Sequence, residues 1–253
     1  MPSARAEYDM EGYMMRTQIL KLAAVCTALG SMAAATPAFA QDEEAEEAAG
    51  PVTLTGGIAL VSDYRFRGVS LSDKDFAVQP YLTVKHESGF YVGVWGSNLA
   101  ENAGDDVEVD LYAGFSGGDA VTYDIGATYY LYPGVSSFNY VEVTGKLGTT
   151  VGPVTIGGQL SYVPSQDNTG NSDNIYVATN MAVGIPNTPV TLTASVGYED
   201  GFFGNEKIDW SLGANASFSG FTVGVSYVDT DRRSTFVAGD SKAAAVFSIS
   251  YAF

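Results

Sequence analysis

Residues 221–227 read Phe221-Thr222-Val223-Gly224-Val225-Ser226-Tyr227, and this alternation decides the class of fold. Large apolar side chains hold the odd positions and small or polar ones the even positions, so an extended chain sorts them onto opposite faces. Residues 190–198 repeat the pattern, with Val190, Leu192, Ala194, Val196 and Tyr198 set against Thr191, Thr193, Ser195 and Gly197. Working outward, the same period runs through 52–66, 76–87, 89–98, 107–116, 121–131, 138–149, 154–163, 175–185, 208–218 and 243–253. Ten such segments and the first two make twelve strands, and no window carries a long apolar period of 3.6. The 29 Gly, 16 Tyr and 13 Phe suit strands and tight turns in the same way.

The connections decide the architecture. Short ones at 87–89, 117–119, 150–153, 186–189 and 219–220 alternate strictly with longer ones at 68–75, 99–106, 132–137, 164–173, 200–207 and 229–242. Outer-membrane barrels have this asymmetry, with an even strand number, short periplasmic turns and longer outer loops, which puts both chain ends on the periplasmic side. A soluble sandwich or lipocalin-like barrel is the alternative; it would turn its apolar face inward, and alternation by itself does not separate the two. Aromatic placement does. Phe90, Phe115, Phe218, Phe221 and Phe253 fall near the periplasmic strand ends, while Tyr64, Phe66, Tyr162, Tyr198, Trp210 and Tyr227 fall near the outer ends. Two such girdles match the two interfaces of a bilayer. The expectation is an all-β, antiparallel up-and-down membrane β-barrel of about twelve strands.

Residues 1–40 read as a secretory signal peptide: Arg16 and Lys21 precede an apolar run at 22–35, and Ala38-Phe39-Ala40 supplies the small residues of a cleavage site after Ala40. The run is shorter than the roughly 20 residues that a membrane-spanning helix needs. Acidic residues ahead of Met14 are the wrong charge for a signal's start, so Met14 or Met15 is an alternative start of translation. Cys26 follows Val25 and not a small residue, which argues against lipid anchoring. Residues 41–51 form an acidic tail, expected to be disordered in the periplasm, and 52–253 form the barrel. Cleavage would leave 253 − 40 = 213 residues with no Cys, so a closed hydrogen-bonded sheet must take the place of disulfides in an oxidising compartment. One Cys and one His exclude a zinc site or a disulfide framework, and a net charge of −17 repels nucleic acid.

The polar face would line the lumen. Gly57, Gly93, Gly114, Gly126, Gly197 and Gly213 lie on it, and side chains that small leave a narrow passage in a twelve-stranded barrel or make room for large neighbours stacked over them. Asp63, Arg65, Arg67, Glu108, Asp110, Glu142, Glu199 and Asp209 fall in its outer half, with Lys85 and Lys146 deeper. Two arginines facing several carboxylates would make a constriction that selects by charge and size, or an ion-pair lattice that braces a closed barrel. Tyr91, Trp95, Tyr112 and Tyr130 point inward on neighbouring strands, as a slide for a flat or sugar-like solute or as filling. Catalysis finds little support, since His86 sits at a periplasmic turn with only Ser88 beside it and the Glu108/Asp110 spacing is what any charged strand produces. No enzymatic activity, cofactor or metal is expected.

Residues 61–68 (VSDYRFRG), 86–98 (HESGFYVGVWGSN), 129–134 (YYLYPG) and 139–142 (NYVE), with the closing Phe253, resemble the TorF family of porins, which are exported proteobacterial proteins. The resemblance spans the mature chain, and it implies a porin without naming a solute. Phe253 at the C-terminus also resembles the signal that the barrel-assembly machinery reads. The reading is therefore an outer-membrane channel for passive passage of small hydrophilic solutes or ions, with modest cation preference and a constriction at Asp63, Arg65, Arg67, Glu108, Asp110, Glu142 and Asp209. The alternative is a closed structural or adhesion barrel with no transport activity. Its partners would be outer-membrane lipid, the assembly machinery and small solutes, with the oligomeric state left open.

Overall fold

A computed structural model describes residues 50–100, 105–232 and 241–253. The expected signal peptide and all but the last two residues of the acidic tail lie outside the described residues. The strands are β1 (Val52–Val61), β2 (Arg65–Phe66), β3 (Val69–Ser70), β4 (Ala77–His86), β5 (Phe90–Asn98), β6 (Val107–Gly117) and β7 (Val121–Leu131). They continue with β8 (Tyr140–Val151), β9 (Val154–Val163), β10 (Asn174–Gly184), β11 (Val190–Gly201), β12 (Lys207–Phe218), β13 (Phe221–Thr230) and β14 (Ala244–Ala252). All except β2 and β3 join one closed antiparallel barrel in which each strand pairs with the next along the chain, β1 pairing with β4 on one side and β14 on the other. The expected twelve-stranded up-and-down barrel is the observed one.

Closure satisfies every strand edge, which is what a sheet without water around it must do. At the seam Gly57 faces Ala252 and Val61 faces Ser248. The ladder then runs one pair further, because Phe253 N–H donates to Gly56 O at 2.9 Å and Gly56 N–H donates to Phe253 O at 3.1 Å. Gly56 lets the Phe253 ring lie over the strand there, where a Cβ would meet the ring at 2.7 Å.

The faces settle the orientation that alternation leaves open. Leu54, Ile58, Leu82, Leu111, Ile156, Leu212 and Phe247 point outward and are exposed, Leu212 and Phe247 by 61% each, while Gln79, Ser97, Glu108, Ser161 and Asn215 are buried inside. A soluble barrel has the reverse arrangement; apolar outside and polar inside is the arrangement of a barrel solvated by lipid. At the short-turn end Phe90 meets Phe115 edge-on at 4.9 Å and Phe221 meets Tyr251 at 4.8 Å, on the outer surface, forming one girdle. Tyr162, Tyr198 and Tyr227 are exposed toward the other end.

Two expectations are corrected. The first strand stops at Val61 and not at residue 66, because Ser62 N–H donates to Phe247 O and then the chain leaves the wall. Consequently Tyr64 and Phe66 are not part of the outer girdle: both turn into the lumen, where Tyr64 is buried and Phe66 packs beside it. Elsewhere the boundaries differ by a few residues, β11 running on through Glu199 and Asp200 and β13 through Asp229 and Thr230, since ladder hydrogen bonds are made by the backbone and carry charged and polar residues as well as apolar ones.

Candidate functional site

Between β1 and β4 the chain folds into the barrel as a two-stranded hairpin. Arg65 pairs with Ser70 and Phe66 with Val69, leaving Arg67 and Gly68 as a two-residue turn. Both have positive φ, 48° and 85°, as a type I′ hairpin turn requires. Arginine is an uncommon choice at such a position, which favours Asn and Gly. Behind the tip, Asp63 gathers the hairpin: its carboxylate accepts from Ser70 Oγ at 2.5 Å and from Arg65 Nε at 2.6 Å. Arg65 also donates to Gly68 O at 3.1 Å and to Lys242 O at 3.0 Å. Leu71 N–H donates to Tyr64 O at 2.8 Å and Ala100 N–H to Leu71 O at 2.9 Å, tying the hairpin to the loop after β5.

Apolar contacts hold it down as well. Val61, Tyr64, Leu71, Ala77, Trp95 and Leu99 form one buried cluster, with the Tyr64 and Trp95 rings 5.4 Å apart. Tyr130, Tyr140, Val163 and Phe203 form a second, and Phe66 packs against both. The hairpin thus crosses the lumen from β5 to the opposite wall, where a Cβ on Gly68 would meet Thr230 at 2.7 Å and Asp209 at 3.0 Å.

The guanidinium of Arg67 sits at the centre. Nη2 donates to Glu142 Oε2 at 2.5 Å on β8 and Nη1 to Glu199 Oε1 at 2.6 Å on β11. Its Cζ lies 4.2 Å from the ring centroid of Tyr176 on β10 and 4.8 Å from that of Phe66. Lys207 Nζ donates to Arg67 O at 2.6 Å and stands 3.0 Å from Glu199 Oε2 and 3.7 Å from Asp209 Oδ2. Asn174 donates to Glu199 at 3.1 Å and Tyr176 OH to Asp209 Oδ1 at 3.2 Å. Arg67, Glu142, Glu199 and Lys207 are each no more than 2% exposed, so these charges are tolerable only because each is paired.

The other expected constriction residues gather around this group. Glu108 on β6 accepts from Tyr64 OH at 3.3 Å, and Tyr130 OH donates to Glu142 Oε1 at 3.4 Å. Burial, reinforced by Glu108 and Asp110, pushes the Tyr64 hydroxyl well above its ordinary range, so it keeps its proton and remains a donor. Asp110 lies two residues on from Glu108 and lines a partly open cavity of about 40 Å³ beside the hairpin, bordered by Tyr64, Phe66, Trp95, Tyr112, Asp124 and Lys146.

Tyr91, Trp95, Tyr112 and Tyr130 do point inward. Tyr91 crosses Gly114 and Gly126 and donates to Asp124 Oδ1 at 3.0 Å, and Tyr112 covers Gly93 with its hydroxyl 2.5 Å from Thr83 Oγ1. Tyr130 stacks on Tyr140 at 4.4 Å. Trp95, Tyr91 and Tyr130 are buried, their faces covered by protein, and the inward glycines serve as seats for rings. His86 Nδ1 lies 2.7 Å from Ser88 Oγ in an exposed short turn. Among the described residues, no group of three or more His, Cys, Asp or Glu is placed to hold a metal.

Sequence reasoning missed Lys207 and Tyr176 as members of the charged group, and misplaced Tyr64 and Phe66. Lys207 was readable, being two positions before Asp209 and therefore on its face. The Arg67-Gly68 pair was a second signal, a two-residue turn ending in Gly inside an alternating stretch.

Residues 45–253 match the model of a family described as "Bacterial protein of unknown function (Gcw_chp)", and the chain belongs to that family. No curated protein matches it. Among solved structures, the KdgM porin superposes with a TM-score of 0.56 at 8% identity, covering 79% of this chain and 99% of that one. The KdgM porin in complex with disordered oligogalacturonate gives 0.55 at 8% identity, over 79% and 98%. The NanC porin gives 0.51 at 11% identity, over 79% and 99%. At such identities the likeness is one of fold: this chain has the closed barrel of outer-membrane porins.

Proposed function

We propose that this member of the Gcw_chp family is an outer-membrane channel for passive passage of small hydrophilic solutes or ions, modestly cation-preferring, with the hairpin at 62–76 as its constriction. The observation that carries the reading is a barrel with an apolar outer face, whose charged inner face is crossed at one level by a charged hairpin and holds beside it a small cavity lined by tyrosines, Asp110, Asp124 and Lys146. The TorF-like motifs support it, because VSDYRFRG is the stretch that builds the hairpin and its entry. The signal-like segment at 1–40 supports export, and Phe253 in the closing seam suits recognition by the assembly machinery.

A second reading, a closed structural or adhesion barrel, is favoured by one observation: the network around Arg67 spans the lumen and is buried. Conductance in a planar bilayer separates the two. Wild type should carry current, and a variant with 62–75 replaced by an Asn-Gly turn should carry more. Silence in both, with each protein folded by its heat-modifiable migration, would establish the closed barrel instead.

A further inference from the structure

We infer that the lumen wall carries a binding site for a planar organic cation of the guanidinium class, and that the chain's own Arg67 fills it as an internal stand-in for solute; as a solute site this rests on the channel reading. Everything that holds the guanidinium, apart from Phe66, belongs to the wall: Glu142 on β8, Glu199 on β11 and the Tyr176 ring between them on β10. Two carboxylates at 2.5 and 2.6 Å and an aromatic face at 4.2 Å from Cζ fit a flat, delocalised cation better than a compact ammonium or a metal ion.

Two further observations set this apart from a bracing salt bridge. Arg67 stands at the tip of a two-residue turn with φ of 48°, a conformation costly for a residue that carries a Cβ and one that Asn or Gly would adopt with less strain. Strain of this kind marks a place where the side chain, not the turn, is what the position requires. The site is also not saturated by its occupant: Arg67 Nε and Asp209 Oδ2 are buried with no hydrogen-bond partner, Asp209 being only 4% exposed. The occupant thus leaves one of its own donors unmet and one wall oxygen, that of Asp209 at 3.7 Å from Lys207 Nζ, without a hydrogen bond. Withdrawal of the hairpin would leave Glu142, Glu199 and Asp209 facing Lys207 and the deeper Lys146, a pocket still net acidic that a guanidinium-bearing solute could neutralise as Arg67 does.

The test uses the full barrel in detergent with methylguanidinium as the probe, followed by saturation-transfer NMR, and a planar bilayer with the same probe. Arg67→Ala, folded by its heat-modifiable migration, should bind methylguanidinium saturably and about tenfold more tightly than methylammonium, as a site built for a flat fork of donors requires. Wild type should bind neither, and Arg67→Ala combined with Glu142→Gln and Glu199→Gln should lose the binding. If Arg67→Ala folds poorly, methylguanidinium should raise its refolding yield where sodium and methylammonium do not. Equal binding of both probes, binding that survives in the triple variant, or no binding by folded Arg67→Ala would overturn the site. Binding by Arg67→Ala in a protein that never conducts would keep the site and remove the channel; conduction by wild type and Arg67→Ala without binding would do the opposite.

Discussion

Arg67 shows what a buried charge costs and what holds it. Its two carboxylates come from strands three apart in the barrel, so loss of either leaves the guanidinium half-compensated in a dry place. Glu142→Gln should therefore destabilise the barrel by roughly 3–5 kcal/mol, the usual consequence of breaking a buried pair, measured by urea unfolding from lipid vesicles. The inward glycines make a second residue-scale prediction. A Cβ on Gly197 would collide with the Tyr176 ring, while one on Gly158, on the lipid side, would meet nothing within 4 Å. Gly197→Ala should cost about 1–3 kcal/mol and Gly158→Ala less than about 0.5, in the same unfolding experiment. Equal effects would mean that Tyr176 has room to move, and that its hold on Arg67 is loose.

At the scale of elements, the alternation of 52–61 and its partners was legible because a strand between lipid and a polar lumen has a period of two and no other pattern fits it. The hairpin was marked only by the Arg67-Gly68 pair, for a physical reason. Asp63, Arg65 and Arg67 continue the polar face and Tyr64 and Phe66 the apolar one in step with β1, so the period is the same whether the chain goes on along the wall or folds back. What ends the strand is loss of partners: β4 begins at Ala77 opposite Val61, leaving residues 62–76 with no neighbouring strand on that side. Once inside, Tyr64 and Phe66 find an apolar environment among Trp95, Tyr130 and Tyr140 in place of lipid. Lumen membership of Glu108, Asp110, Glu142 and Asp209 was legible from parity alone, whereas their partition between a buried network and a partly open cavity depends on long-range contacts. The closing element carries its own prediction. Deleting Phe253 removes two ladder hydrogen bonds to Gly56 and the ring over it, about 2 kcal/mol of seam at the usual worth of such bonds. The yield of heat-modifiable barrel should fall, and an unchanged yield would show that the seam closes without its last residue.

For the molecule as a whole, the proposed channel would take its selectivity from the charge inside the barrel. Acidic side chains within the lumen include Asp63, Glu108, Asp110, Asp124, Glu142, Glu199 and Asp209; Arg65, Arg67, Lys85, Lys146 and Lys207 oppose them, a formal acid excess of two by residue count. Rings of carboxylates in a confined aqueous path favour cations, so the reversal potential under a salt gradient should indicate a modest cation preference. Accessible charges are screened beyond about 8 Å at physiological ionic strength, so the preference should weaken as salt rises. The structure further divides the two carboxylates of β6. Asp110 borders the small cavity, whereas Glu108 is 1% exposed and accepts from Tyr64 OH. Asp110→Asn should accordingly move the reversal potential toward anions, while Glu108→Gln should leave it nearly in place and instead loosen the hairpin, raising conductance. If Glu108→Gln shifts selectivity as much as Asp110→Asn, ions pass through the hairpin level and not beside it. If neither shifts it while conductance stays intact, both carboxylates stand outside the permeation path, and the charges around Arg67 brace the barrel without selecting what crosses it.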